Sequence, residues 1–194
     1  PAPVRAQFAQ SGFPLPAQPP DGCLQALFDP TRTMLGPLQK SLFKAALLRS
    51  TAKFKFVINE VPIQQFYGLP YDRWEGYGAE RAEILGFIRA LNIQHVIFLT
   101  TDTHANLINE VFIDHFLDPT PVAHEFVTGP FATGTFMRGL EATAANLHLT
   151  VAQVVQAFNG LLNVVGVDCR NFDTFSYGVV EVQDSAGTAS ITLK

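Results

Sequence analysis

The sequence predicts a layered α/β protein, in which helices pack against a sheet that contains buried strands. Residues 79–90 carry apolar residues at helical spacing, and the apolar run His95-Val-Ile-Phe-Leu-Thr100 follows closely. The length of that run and its β-branched residues are typical of a strand buried on both faces. A helix that leads into such a strand is the rhythm of layered α/β folds. Hydrophobic residues make up 47% of the chain and charged residues 15%, which is enough apolar material to form a core.

The first part of the chain contains an arm, a helix and a strand. Residues 1–28 carry six prolines within their first 22 positions, which predicts a Pro-rich arm or linker instead of a packed element. Residues 38–48 repeat apolar residues at helical spacing and predict an amphipathic helix. Residues 53–58 alternate in the manner of a strand that ends near Asn59. The apolar side chains of that strand share one face: Phe54, Phe56 and Ile58.

The second part begins with a long aromatic loop at residues 62–78, and a loop this rich in aromatic residues is rarely passive. A strand at residues 123–128 follows the buried strand. Thr150 is a favourable cap for a helix that runs through Phe158. The chain ends in a predicted hairpin over residues 175–193.

Charge and cysteine content limit the functional classes. The net charge is −4, the pI is about 5.7 and no basic run exists, so the sequence offers no nucleic-acid-binding patch. No apolar run approaches the roughly 18 residues of a transmembrane segment. Cys23 and Cys169 lack zinc-knuckle spacing and are either paired in an exported protein or ordinary buried thiols. Because the first residue is Pro1, we expect a chain that was processed or cut from something longer.

The segment richest in chemical information is Leu99-Thr-Thr-Asp-Thr-His-Ala-Asn106, where the predicted buried strand runs out into a loop. Functional groups of layered α/β proteins gather at the carboxyl ends of strands. Asp102, His104 and Asn106 are spaced two residues apart, so continued strand geometry would point them to one side and a curling loop would bring them closer. Carboxylate, imidazole and amide oxygen together suit iron, manganese, zinc or a transition metal beside calcium. The same pattern also fits an Asx-turn with a helix cap and a packed His104.

This segment resembles the last metal-binding motif of the PhoD-like alkaline phosphatases and phosphodiesterases, which usually reads L-T-G-D-x-H-x-N. The resemblance extends over roughly residues 29–194. The sequence departs from the family at Thr101, where glycine is usual, and at Glu75, where aspartate is usual. Further matching segments are residues 34–52, the strand 56–61 that contains Asn59, Trp74-Glu-Gly-Tyr77 with Glu80-Arg81, residues 125–134 and residues 175–180.

The resemblance implies a calcineurin-like metallophosphoesterase fold, an αββα sandwich of two sheets flanked by helices. The remaining ligands of this family lie in the first half of its domain, and no such set is present in this sequence. Three ligands cannot fill the roughly four to eight coordination positions that such metals take. We therefore expect residues 29–194 to form the C-terminal portion of a larger enzyme. Either a separate N-terminal chain completes it, or the sequence is truncated.

The resemblance also implies metal-dependent hydrolysis of a small-molecule or lipid phosphate ester by a secreted or periplasmic enzyme. It points to iron with calcium in a dinuclear or multinuclear site. Asp102 and His104 would be catalytic metal ligands, and Asn106 would hold metal or phosphate. The activity would be that of an alkaline phosphatase or phosphodiesterase, with a phospholipase D-like phosphodiesterase as an alternative.

Four further residues are candidates for substrate binding, each with a structural alternative. Asn59 either faces the site or forms a turn, and Arg81 either clamps a phosphate or pairs locally. Trp74 and Tyr77 either line a pocket or pin the loop to the body. His124 and Glu125 begin a predicted strand, where packing is the simpler interpretation of the histidine.

Two alternatives belong to other functional classes. One is a non-catalytic fragment that stabilises a partner. The other is a carbohydrate- or lipid-surface-binding module, which the aromatic residues of loop 66–77 would form without metal.

Overall fold

The computed structural model describes residues 1–67, 73–185 and 187–194 of the chain. A single 3₁₀ turn at Trp74–Tyr77 leads into the fourth of the helices named below. The described helices are α1 (Ala2–Gln10), α2 (Cys23–Leu27), α3 (Gly36–Arg49), α4 (Gly78–Ala90), α5 (Phe136–Leu147) and α6 (Val151–Val164). The described strands are β1 (Lys55–Asn59), β2 (Val96–Thr100), β3 (Asn106–Val111), β4 (Ala123–Val127), β5 (Val167–Asn171), β6 (Val180–Ser185) and β7 (Thr188–Leu193).

Five strands form one mixed sheet in the order β1-β2-β4-β3-β5, and β6 and β7 form a separate antiparallel hairpin. In the large sheet β1, β2 and β4 are parallel, whereas β3 is antiparallel to both of its neighbours. The α/β class predicted from the sequence is confirmed. Because the parallel strands end at one edge, the carboxyl ends of β1, β2 and β4 lie beside the start of β3 there.

The helices cover one face of this sheet, which we call the inner face. Side chains alternate across a strand, so every second residue of each strand contributes to the same face. One hydrophobic cluster joins the inner face of β1, β2 and β4 to α3 and α4, and a second joins β3, β4 and β5 to α1, α5 and α6. The inner-face apolar side chains are Val57, Val96, Phe98, Leu107, Val111, Ala123, Val127 and Val167.

The opposite face, which we call the outer face, carries a second set of apolar residues. The strand register aligns one row across all five strands: Ile58, Leu99, Phe126, Ile108 and Cys169. Strand β2 is the one predicted to be buried on both faces. All of its residues are buried except Leu99, which is half-buried. The predicted alignment of Phe56 and Ile58 holds, and both face outward on β1, where they are exposed.

The predicted arm at residues 1–28 is wrong in one respect, because Ala2–Gln10 form helix α1. Val4 is buried in the cluster that contains α5 and α6. Pro1 is the N-cap and Pro3 lies in the first turn, where the missing proline N–H costs no hydrogen bond. Prolines therefore start this helix instead of preventing it.

The structure also shows the state of the two cysteines and the lengths of the helices. Cys23 on α2 is half-buried and Cys169 on β5 is exposed, and both are free thiols in this structure. The expectation of a buried thiol is therefore wrong for Cys169. Within the described ranges, every helix is too short or too polar to cross a lipid bilayer.

Candidate metal centre

The loop after β2 curls instead of continuing as a strand. Asp102 and His104 have φ values of 49° and 59°, in the left-handed region that non-glycine residues rarely occupy. Aspartate and histidine tolerate this region better than most residues, and such conformations concentrate at functional sites. Thr101, in the place of the family's glycine, does not need a left-handed backbone. Its N–H and hydroxyl both donate to the carbonyl of Glu60, at 3.3 and 3.2 Å.

The curl brings the two predicted ligands together. His104 Nε2 lies 3.7 Å from Asp102 Oδ1. Two ligand atoms at about 2.0–2.1 Å from one ion lie at most about 4.2 Å apart, so this separation can accommodate one shared cation. The side chain of Asp102 is 51% exposed and that of His104 is 43% exposed, so further ligands can reach the pair from the solvent side.

A backbone carbonyl sets the orientation of the imidazole. His104 Nδ1 lies 2.5 Å from the carbonyl oxygen of Gly134. A carbonyl only accepts, so Nδ1 carries a proton, and in the neutral imidazole that binds metals the lone pair is then on Nε2, beside Asp102. Metal-binding histidines in general donate a hydrogen bond in this way from the N–H of the ring nitrogen that does not bind the metal. A main-chain hydrogen bond holds the same two segments together, since Phe136 N donates to His104 O at 2.7 Å.

The pair is only part of a metal site. In the described part of the chain, no group of three or more histidine, cysteine, aspartate or glutamate side chains is placed to hold an ion. The oxygen and imidazole donors fit a transition metal, but two ligands leave most of its coordination positions open. A complete centre would need further ligands from outside the pair.

Asn106, the third predicted ligand, is the first residue of β3 and joins two other segments. Its Oδ1 accepts hydrogen bonds from Gly129 N at 2.8 Å and from Ser176 Oγ at 2.7 Å. A side chain on Gly129 would lie 3.0 Å from Asn106 Nδ2 and 3.1 Å from Thr174 O, so glycine permits this close approach. Both lone pairs of the amide oxygen are used here, and its role as a metal ligand stays a prediction.

Asn59, the last residue of β1, contacts Trp74 of the following loop. Trp74 is buried, and its Nε1 donates to Asn59 Oδ1 at 3.1 Å. Asn59 Nδ2 donates to Val61 O at 2.7 Å and lies 3.2 Å from Thr100 Oγ1. The structure thus brings two of the four candidate substrate-binding residues together, in contacts that fasten the end of β1 to the following loop. Substrate binding by either residue stays a prediction.

Glu125 is the centre of a buried polar network that the sequence did not predict. It is fully buried on the inner face of β4. Its carboxylate accepts from Ile63 N (2.8 Å), Gln64 N (3.1 Å), Thr100 Oγ1 (2.8 Å) and Asn109 Nδ2 (3.3 Å). Burial raises the pKa of Glu125, against the effect of these four donors.

Arg81 lies in the interior of the molecule, not at an open site. Its guanidinium donates to the carbonyls of Ile63 (2.5 Å), Ile113 (2.8 Å) and Phe112 (2.5 Å). Burial lowers the pKa of Arg81 to about 10. The local pair with Glu80 does not form, because Glu80 accepts instead from the main chain of Met34 and Leu35. This placement favours a structural role, and phosphate binding by Arg81 stays a prediction.

The aromatic loop is described only in part, because its Tyr71 lies outside the described residues. Tyr77 is half-buried and has the guanidinium of Arg32 5.2 Å from its ring centroid. Glu75, in the place of the family's aspartate, is buried and accepts from Tyr67 N at 2.7 Å. Burial raises the pKa of Glu75.

Some of these partners left no signal in the sequence. The carbonyl of Gly134 orients His104 from 30 positions away, and a backbone atom has no residue type to recognise. Ser176 reaches Asn106 from 70 positions away. Glu125 did leave a signal, because it is a charged residue inside a predicted strand. A buried carboxylate is costly without partners, so its position there indicates a hydrogen-bond network.

Parts of this chain match known proteins. The profile of the family described as PhoD-like phosphatase matches residues 16–190. Alkaline phosphatase D of Bacillus subtilis (strain 168) is 29% identical over 93 residues, which are 44% of this chain and 16% of that protein. A solved structure described as "Structure of PhoD" is 27% identical with a TM-score of 0.49, and the match covers 58% of this chain and 22% of that one.

Both matches cover well under two thirds of the relative's own length. The family profile, in contrast, spans most of the 194 residues, including the Asp102 and His104 loop and the Glu125 network. The chain therefore belongs to the PhoD-like phosphatase family.

Proposed function

We propose that this chain is part of a larger metal-dependent enzyme that hydrolyses phosphate esters, and that it supplies the later metal ligands. The observation that carries the proposal is the geometry of Asp102 and His104. An oriented imidazole lone pair lies 3.7 Å from a carboxylate oxygen, on a loop held in left-handed backbone at both residues. Membership of the PhoD-like phosphatase family supports the reaction class.

Asp102 and His104 would hold the metal, and Asn106, at the start of β3, would hold metal or phosphate beside them. When bound, such a cation supplies a Lewis acid that activates water and offsets charge on the phosphoryl oxygens. The carbonyl of Gly134 would keep the imidazole in the tautomer that binds metal, and the curled loop would keep the carboxylate beside it. The family resemblance favours iron with calcium in a dinuclear or multinuclear site, within a calcineurin-like sandwich.

The missing ligands would come from an N-terminal part of the same enzyme, either on a separate chain or in one longer polypeptide. The length of the matched relative supports this, because the match covers only 16% of alkaline phosphatase D. The open, half-exposed Asp102 and His104 pair is what a site completed from another segment would present. Export from the cell belongs to the same proposal, since it is an expectation from the family resemblance.

The substrate would be a small-molecule or lipid phosphate ester. Of the candidate binding residues, Tyr77 is half-buried, whereas Asn59 and Trp74 bind each other and Arg81 is buried. We therefore expect Tyr77 to contact the organic group of the ester, and the other three to shape the wall behind it. A phospholipase D-like phosphodiesterase would use the same ligands on a diester.

The direct test is hydrolysis of p-nitrophenyl phosphate and bis-p-nitrophenyl phosphate by the assembled enzyme. We expect Asp102→Asn and His104→Ala each to lower kcat by at least about 100-fold, because bound metal supplies several kcal/mol of transition-state stabilisation. Metal content, measured by atomic spectroscopy, should fall in both variants.

His148→Ala is the matched control for His104→Ala. His148 is exposed and also left-handed, with φ 54° against 59° for His104, so both changes disturb the backbone alike. Activity that survives Asp102→Asn with unchanged metal content would refute the proposal.

A non-catalytic, partner-stabilising chain is the second candidate, and the exposed apolar outer face of the sheet favours it. It predicts that Asp102→Asn leaves hydrolysis by the assembled enzyme unchanged. The same variant therefore separates the two functions.

A further inference from the structure

Helix α5 makes its N-terminal hydrogen bonds with other segments of the chain and not with its own N-cap side chain. Thr135 is the N-cap, but its hydroxyl makes no capping hydrogen bond. The first helical amide, Phe136 N, donates to His104 O at 2.7 Å. The second, Met137 N, donates to Phe172 O at 2.9 Å. A threonine cap normally stabilises a helix by about 1 kcal/mol. In α5 the other carbonyls take over that role, which leaves the Thr135 hydroxyl available for a different partner.

Asp173, in the turn after β5, is that partner. Thr135 is buried, and its hydroxyl donates to Asp173 Oδ1 at 2.8 Å across 38 positions of the chain. Asp173 N and Thr174 Oγ1 both donate to Asn171 Oδ1, at 3.0 and 2.9 Å. Because these bonds fix the turn, the carboxylate offers an acceptor in a defined place. A hydrogen bond to a charged acceptor is also stronger than one between neutral groups.

This hydrogen bond joins two loops, residues 128–135 and residues 172–179, which together hold two of the candidate ligands. The first loop presents the Gly134 carbonyl to His104 Nδ1 at 2.5 Å. Each loop also donates one hydrogen bond to the amide oxygen of Asn106. The link between the loops lies at the residue that follows Gly134, so it acts where the imidazole is oriented.

The direction of the Gly134 carbonyl depends on the residue after it. The carbonyl and the N–H of Thr135 belong to one planar peptide unit, so a fixed Thr135 restricts the rotation of that unit. Gly134 contributes little restraint of its own, because glycine has the widest choice of backbone angles. Residues 131–134 are all exposed, so packing contributes little either. Thr135 is the first buried residue after them, and its link to Asp173 is the side-chain restraint closest in sequence to the carbonyl.

We propose that Thr135 and Asp173 are positioning residues for the metal site. Their hydrogen bond holds the Gly134 carbonyl on His104 Nδ1, and thereby keeps the neutral imidazole in the tautomer whose Nε2 has the lone pair. Without this bond the peptide unit turns more freely, and either ring nitrogen can carry the proton. An imidazole with its proton on Nε2 cannot bind a cation beside Asp102 through that atom. The use of Nε2 for metal rests on the proposed function, whereas the control of the tautomer does not.

Four variants of the pair separate positioning from general stability. Asp173→Ala removes the acceptor and Thr135→Val removes the donor at nearly the same side-chain size, so each should free the carbonyl. Asp173→Asn keeps an acceptor oxygen and Thr135→Ser keeps the hydroxyl, so each should behave like the natural chain. Asp173 is exposed, and Ser176 N still donates to Pro130 O between the two loops at 3.0 Å. Asp173→Ala should therefore fold.

The measurement is the tautomer of His104 in the ¹⁵N-labelled chain at about pH 8, where imidazole is neutral. Long-range ¹H–¹⁵N correlation NMR distinguishes the protonated from the unprotonated ring nitrogen, and His104→Ala assigns the signals. We expect the proton on Nδ1 in the natural chain, and roughly half of the population with the proton on Nε2 in Asp173→Ala and Thr135→Val. The Kd for Mn²⁺ or Zn²⁺ should rise about 10-fold in both, which is the low end of the effect of groups behind a metal-binding histidine.

Asp29→Ala is the matched control, and it should leave the tautomer and the Kd unchanged. Asp29 Oδ1 accepts from Thr31 Oγ1 at 2.7 Å, between α2 and α3, so the same kind of hydrogen bond is removed elsewhere in the fold. Circular dichroism of each variant checks that it folds. If Thr135→Val does not fold, Asp173→Ala decides alone.

A proton that stays on Nδ1 in Asp173→Ala overturns the positioning role, and so does an equal shift in Asp29→Ala or in Asp173→Asn. Metal binding separates this proposal from the proposed function. If the tautomer responds as expected but neither the isolated chain nor the assembled enzyme binds metal, the function alone is refuted. If metal binds through His104 but the tautomer and the Kd are indifferent to Asp173→Ala, the positioning alone is refuted.

Discussion

At the scale of single residues, buried charged side chains of the sheet and of helix α4 hold one loop residue by its N–H and by its C=O. Ile63 N donates to Glu125, and Ile63 O accepts from Arg81. Acidic and basic groups thus hold the N–H and the C=O of the same residue, each with further backbone partners. Glu80 acts similarly, since it accepts from the two amides that precede helix α3. Unpaired, any of these groups would cost several kcal/mol, which explains why Glu125 and Arg81 are held by hydrogen bonds and why Glu80 Oε1, which has no hydrogen bond, lies 3.6 Å from Lys40 Nζ.

Glu125→Gln tests this role. All four partners of the carboxylate are donors, so an amide NH₂ would face two of them and leave buried donors unsatisfied. We expect a loss of about 2–4 kcal/mol in the free energy of unfolding, measured by urea denaturation. Glu110→Gln, on the outer face of β3, is the control and should change stability by less than about 0.5 kcal/mol.

The loss should depend on pH with a definite sign. Burial raises the pKa of Glu125 above its ordinary value of 4.5, and Arg81 is the charged group that interacts with it. Below the ordinary value the carboxyl is neutral in both states and its contribution is complete. As the pH rises, the unfolded chain ionises first, so the contribution falls until the folded pKa is passed. The destabilisation by Glu125→Gln should therefore be larger near about pH 4 than near about pH 8, and a larger loss at high pH would contradict the raised pKa.

At the scale of secondary structure, elements with strong local signals were predictable and elements with tertiary partners were not. The helix at residues 79–90 and the strand at 95–100 were confirmed as α4 and β2 within one residue. Strand β3 was not predicted, because its polar Asn109 breaks the alternation expected of a half-buried strand. Asn109 is nevertheless buried, since it binds Glu125 across the sheet. Helix α5 was also not predicted, although Thr135 precedes it as N-cap.

Helix α6 shows how far one local signal reaches. Thr150 was predicted as its cap, and the structure confirms a capping box in which Thr150 Oγ1 accepts from Gln153 N at 3.3 Å and Gln153 Oε1 accepts from Thr150 N at 2.9 Å. The cap predicts where the helix begins. It does not predict where the helix ends, which is Val164 and not Phe158, because its C-terminal half packs on the sheet.

Thr150→Ala should therefore destabilise the chain by about 1 kcal/mol in urea unfolding, since the first turn loses a side-chain acceptor. Thr143→Ala in α5 is the matched control. Thr143 is on the exposed side of α5 and its hydroxyl donates to Gly139 O of the same helix, so alanine should be neutral or slightly stabilising there. Equal losses from the two variants would show that the capping box contributes nothing.

At the scale of the whole molecule, the sequence predicted which residues form the candidate site but not what surrounds them. The spacing of Asp102 and His104 indicated that the two side chains would converge, and they lie 3.7 Å apart, although through a left-handed loop and not through extended strand geometry. Two features could not be predicted: the outer face of the sheet, and the position of the loop at residues 128–135, which orients His104. Both depend on the order of strands in the sheet. Strand order is a property of the assembled fold, which no local pattern encodes.

The two-ligand arrangement predicts weak metal binding by the chain alone. Structural zinc sites with four protein ligands bind with about 10–16 kcal/mol, so a pair of ligands should provide about half of that. We expect Mn²⁺ or Zn²⁺ to bind the isolated chain near pH 7 with a micromolar or weaker Kd in isothermal titration calorimetry, and His104→Ala to weaken it further. The assembled enzyme should bind at least about 100-fold more tightly, because the N-terminal part would add ligands to the same ion. Stoichiometric, submicromolar binding by the isolated chain would instead mean that its own residues complete the centre.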